Sequence, residues 1–148
     1  LPAYFSKHVF NSKNKYNNEQ HIRNKIKKTF LILDNIIRYN VNSYSVGSTA
    51  SIVIKYNNQL ITVNLGDSRA VILQKNNEHP NGNIVMATKD HKPENERERI
   101  SKSKGTVEFD GHVYRVNGNL SLSRAFGDFY LKYHILLFQK IQIYNLFF

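Results

Sequence analysis

Between residues 40 and 51 the spacing of apolar residues changes from about four to two, and that switch limits the folds open to this chain. Upstream, Ile22, Ile26, Phe30, Leu33 and Ile37 recur at steps of four, four, three and four. They make one face of an amphipathic helix through "HIRNKIKKTFLILDNIIRYN", with Asn17 or Asn18 as its N-cap. Downstream, "SIVIKY" and "QLITVNL" flank Asn57-Asn58, a pair suited to a tight hairpin turn with positive φ values. "RAVILQ" resumes the pattern after Gly66-Asp67-Ser68, which predicts a three-stranded antiparallel meander. A helix followed by a mainly antiparallel sheet is an α+β fold.

The second half is more polar. "IVMAT" reads as a short strand and "KDHKPENERERISKSKG" as a surface helix. Pro93 suits its first turn, and Glu94, Glu96 and Glu98 favour its positive end. Lys102 and Lys104 favour the negative end, and Gly105 is the expected C-terminal cap. Only Ile100 is strongly apolar, so little core is expected from it. "TVEF", "GHVYRV" and "LSLSRAFG" then form short elements around Asp110-Gly111 and Asn117-Gly118.

A chain of 148 residues is long enough for one domain and too short for two comfortable ones. It has no cysteine, which excludes disulfides, thiol nucleophiles and cysteine-held zinc, so any metal must be held by oxygen or imidazole. The net charge of +10 is unevenly spread, with +6 in residues 1–40. No basic-aromatic stripe or nucleic-acid motif accompanies it, so no nucleic-acid partner is expected. The opening "LPAYFSKHVF" carries no secretory pattern, and the chain is expected to work inside the cell, in cytoplasm or nucleus. Starting at Leu1, it reads as a piece of a longer or processed product.

Single residues give weak chemical signals. Asp67 follows a packed strand, where its carboxylate either satisfies turn N–H groups or stands at the mouth of a metal site. Asp90, His91, Glu94 and Glu98 form a second acidic group that reads as helix cap and dipole partners, since two-histidine metal spacing is lacking. "SKSKGT" lacks the leading glycine and the strand–loop–helix order of a phosphate loop. Ser48, Ser68 and Ser123 show no His/Asp partnership, so no serine nucleophile is expected.

Their order is more telling. "GSTA" (47–50), "NLGDSRAV" (64–71), "DHKPENERERI" (90–100), "RVNGNLSLSRAFGD" (115–128) and "FYLK" (129–132) together resemble the metal-dependent protein phosphatases, the type 2C serine/threonine family. "AYFSKHVF" and the helix after it resemble the family segment that follows its "DGHGG" motif. The resemblance implies part of an α/β/β/α sandwich, two antiparallel sheets flanked by helices. It implies hydrolysis of phosphoserine and phosphothreonine in phosphoprotein substrates by two Mg²⁺ or Mn²⁺ ions and an activated water, without a phosphoenzyme.

Carried over to this sequence, the resemblance makes Asp67 a ligand of an additional, weaker metal position beside the binuclear pair. Arg69 is expected to anchor the turn, Gly47, Ser48 and Thr49 to lead into a core strand, and "DHKP…RI" to be the flap that shapes substrate access. Asp128 is expected to cap or turn the chain, and Lys104 replaces the first of two family glycines. The family's early Arg and Glu-Asp pair, its "DGHGG", and its later "DG" and "DN" motifs are not in this chain. No catalytic residue is therefore assigned. The expectation is a partial domain over residues 1–132, truncated at both ends and inactive alone, or else a non-catalytic, pseudophosphatase-like module binding phosphoproteins or a partner. Residues 133–148 are set apart as a non-family hydrophobic tail, arising from an alternative transcript or from a gene model that runs into non-coding sequence. Gln139, Lys140 and Gln142 break its apolar run, so it is not expected to span a membrane.

Overall fold

The structure, a computed structural model, describes residues 19–40, 44–134 and 140–145. The expected N-cap at Asn17 or Asn18 and the "AYFSKHVF" segment lie outside them. Helix α1 (Glu19–Asn40) follows the periodicity: Ile22, Ile26 and Phe30 are buried, and Leu33 and Ile37 pack beside them. This face meets Ile61, Val63, Leu65 and Phe126. The Phe30 and Phe126 rings stack at 5.0 Å.

After the two-residue β1 (Gly47–Ser48), strands β2 (Ala50–Tyr56) and β3 (Gln59–Leu65) form the expected hairpin, with Tyr56 opposite Gln59. Asn57 takes φ 51°, and it alone of the asparagine pair has a positive value. Strand β3 is buried on both faces. Its odd-numbered residues face α1, while Thr62 bonds the Met86 sulfur at 3.6 Å and Asn64 donates to the Lys89 carbonyl at 3.2 Å. Met86 lies on β5 (Asn83–Ala87), so a second β layer covers β3 opposite the helix. Helix, sheet and sheet are thus stacked.

The meander stops at two strands. Strand β4 (Val71–Gln74) pairs with β5 and not with β3. The 66–70 turn carries the chain out of the first sheet, and β3's free edge is taken by β9 (Lys140–Asn145), with Val63 opposite Ile141. The sequence sets those residues apart as a tail; in the structure Ile141 joins the main core, and the Arg23 guanidinium donates to its carbonyl at 2.7 Å.

The polar excursion has its own small core. Pro93–Glu96 form a 3₁₀ turn running into helix α2 (Arg97–Lys102), where Ile100 is fully buried with Val116, Ala125 and Leu131. Strands β6 (Val107–Phe109) and β7 (Tyr114–Val116) form a hairpin above it. The left-handed residue ending α2 is Lys104 (φ 61°), one position before the expected cap Gly105.

Strand β8 (Phe126–Gly127) pairs with β1. Asp128, with φ 47°, turns the chain as expected but makes no side-chain cap bond. The Lys132 ammonium staples this bend to α1, donating to Asp34 at 3.1 Å and to the carbonyls of Ala125 and Gly127. Among the described residues, no helix is long and apolar enough to cross a membrane.

Candidate functional site

The turn after β3 is fastened at nearly every residue but one. Gly66 has φ 93°, and a Cβ there would strike Thr49. Its N–H donates to His91 Nδ1 at 3.1 Å, while the His91 N–H returns a bond to the Gly66 carbonyl at 2.9 Å. Asn64 Nδ2 also donates to that carbonyl, at 3.1 Å. Ser68 shares a 2.7 Å hydroxyl bond with Thr49. Arg69 grips Asp90 with two bonds, at 3.0 and 2.7 Å, and Ala70 exchanges bonds with Thr88.

Asp67 is the exception. It is exposed, and among the described residues its carboxylate has no hydrogen bond or ion pair. The turn reading of this acid therefore fails on geometry, because the N–H groups it would satisfy are not bonded to it. Arg69 anchors the turn as expected, and its hydrogen bond to Asp90 holds that carboxyl below the usual range.

The second acidic group divides: Glu94 and Glu98 stand in the first turns of the 3₁₀ helix and of α2, as dipole partners do, while the other two do other work than capping. Asp90 and His91 clamp the turn, Lys92 occupies the helix N-cap without a side-chain bond, and Glu98 pairs with Lys102 at 2.6 Å. Sequence reading missed two roles here. His91 is a buried acceptor, signalled only by its place beside an acid. Glu96 is gripped by both Arg99 and Arg124, tying α2 to the segment before β8. Burial alone would raise the Glu96 carboxyl, but Arg124 and then Arg99 outweigh it and hold it lower.

Asp67 opens onto a cleft of about 510 Å³, walled by Lys92 and Glu94 on the flap side and by Phe109, His112 and Val113 of the β6–β7 hairpin. The hairpin tip is tied by Asp110, whose carboxyl falls to about 2 under the Val113 N–H, Arg115 and the His112 N–H. Hard divalent cations need six or more oxygen donors. Among the described residues, no three acidic or histidine side chains converge to hold a metal. The donors present therefore do not fit a binuclear centre, and Asp67 offers one carboxylate toward such a site.

A family model described as protein phosphatase 2C matches residues 4–143. The chain belongs to this family. That span runs past the expected boundary at 132 and into β9. Among protein phosphatase 2C relatives, a probable protein phosphatase 2C 71 from Arabidopsis thaliana is 42% identical over 105 residues, covering 70% of this chain and 22% of its own length. Protein phosphatase 2C 1 from Paramecium tetraurelia is 38% identical over 131 residues, covering 78% of this chain and 40% of its own. This chain thus spans less than half of either relative.

The fold agrees. A crystal structure of serine-threonine phosphatase 2C from Toxoplasma gondii superimposes with a TM-score of 0.74 at 20% identity, covering 99% of this chain and 57% of that one. A sex determining protein of C. elegans gives 0.71 at 22% identity, covering 97% of this chain and 36% of its own. The α+β, protein phosphatase 2C-like architecture read from the sequence is the one observed.

Proposed function

We propose that the whole protein hydrolyses phosphoserine and phosphothreonine in protein substrates, using Mg²⁺ or Mn²⁺. The observation that carries this reading is Asp67, on a turn fastened on both sides, with its carboxylate free at the mouth of a cleft. A structural acid in a turn is normally bonded to it. A free one on a rigid turn is arranged for something outside the chain, and membership of the protein phosphatase 2C family says which chemistry to expect. Bound divalent ions would supply an activated water and neutralise phosphoryl oxygens. The residues described here would hold the Asp67 turn rigid and line the approach.

Because three metal-holding side chains do not converge among the described residues, these 148 residues alone are expected to be inactive. The same observation favours a second reading, a non-catalytic module that binds phosphoproteins. A Mn²⁺-dependent assay on a phosphoserine peptide, run on this chain and on the longest product of its locus, separates the two. Turnover by the longer product alone supports the first. Binding without turnover by either supports the second. Robust turnover by the 148 residues would show that the missing donors are not needed.

A further inference from the structure

We propose that the cleft between the Asp67 turn and the β6–β7 hairpin holds the polypeptide of a phosphorylated substrate, with an aliphatic or aromatic residue flanking the phosphorylated one seated on Phe109 and Val113. The proposal rests on the phosphatase reading and adds a sequence preference to it.

Charge is the first argument. Most ionisable groups around the cleft are matched: Arg69 with Asp90, Arg115 with Asp110, and Arg97 with the Val107 carbonyl and the Tyr114 ring, 4.5 Å away. On its lining, the side chains of Asp67, Lys92 and Glu94 make no hydrogen bond or salt bridge among the described residues. Unpaired charge of both signs around a concavity suits a ligand that brings its own donors and an anion. An extended peptide with backbone N–H groups and one phosphate does so. A polyanion such as nucleic acid would meet the two free acids.

The apolar wall is the second. Phe109 is 58% exposed and Val113 41% exposed, on a hairpin whose strands are three residues each. The Phe109 ring lies 5.0 Å from that of Tyr114, which in turn carries the Arg97 guanidinium 4.5 Å from its centroid, so the platform is already ordered. Ordered, exposed aromatic surface beside a cleft marks a contact for a partner side chain. With the phosphoryl group against Lys92, a neighbour along the peptide reaches this wall.

The test is fluorescence anisotropy with labelled phosphoserine peptides and the 148-residue chain. Peptides carrying Leu or Phe within three residues of the phosphoserine should bind about tenfold tighter than their Ala counterparts. Phe109→Ala with Val113→Ala should remove that difference. Both side chains are substantially exposed, and circular dichroism checks that the fold persists. Lys92→Ala should weaken every phosphopeptide several-fold while leaving the preference intact. Equal affinities across the flanking series, or a preference that survives the double substitution, overturns the subsite. Equal binding of unphosphorylated peptides overturns the assignment of a phosphorylated occupant. Failure of the phosphatase reading looks different: the preference holds in binding, yet the whole protein leaves the bound peptides unhydrolysed.

Discussion

At the scale of single residues, Asp67 and His91 make an informative contrast. His91 Nδ1 is the acceptor for the buried Gly66 N–H, so His91→Ala strands a donor and should cost about 1–3 kcal/mol in urea unfolding. Asp67 contributes no bond to the turn, and Asp67→Ala should change stability by less than about 0.5 kcal/mol. A loss at Asp67 as large as that at His91 would return the acid to a structural role. Lys104 is a second case. Its N–H bonds the Ser101 carbonyl and the Gly105 N–H bonds that of Ile100, the paired closure that usually places glycine at the left-handed position. Lys104→Gly should therefore raise stability by about 1 kcal/mol, measured as a shifted urea midpoint. Gly105, the cap expected from the sequence, instead allows a close approach: a Cβ there would sit 2.8 Å from His134 Nδ1. Composition announces a glycine near a helix end. It does not say whether the backbone or a neighbour demands it.

At the scale of elements, β9 and the flap can each be tested. Ile141 is buried against β3 and α1, so Ile141→Ala should cost about 2–4 kcal/mol by equilibrium denaturation. A cost near zero would mean that the strand does not hold its place in the sheet. In the flap, the folded-state value of Glu96 is lowered, so its stabilising contribution is complete above the ordinary 4.5 and is lost as pH falls through the lowered value. Thermal melts below pH 4.5 should show this loss in the parent chain and not in Glu96→Gln. At neutral pH that substitution should cost about 1–3 kcal/mol, reduced because solvent reaches part of the pair. The helix and the first hairpin were legible because one residue spacing implies one element. Strand pairing was not: "RAVILQ" carries a strand pattern, but nothing in it specifies β5 over β3. "KIQIYN" carries one too, and its partner lies far upstream. The Asp67 turn was legible as a candidate, whereas its freedom from the turn depended on bonds made by residues 88–91.

At the scale of the molecule, the described residues hold two buried clusters of unequal size. Among the described residues, eight buried side chains form the core that α1 shares with the first sheet, and four form the one around Ile100. Local opening free energy follows buried apolar contact. Native-state hydrogen exchange should accordingly find the amides of Ile61 and Val63 opening only with global unfolding, and that of Val116 opening at lower cost. Equal protection would mean that the clamp makes the two clusters one cooperative unit.

The pairing of residues 59–65 with 140–145 also bears on how the protein is made. A growing polypeptide that has emerged only through the flap carries an unfinished first layer, its most apolar strand open along one side. Non-local closure of this kind is slow and leaves a sticky border in the meantime. The period of greatest risk therefore falls during translation, after the hairpin has formed and before the sixth residue of the closing strand leaves the ribosome.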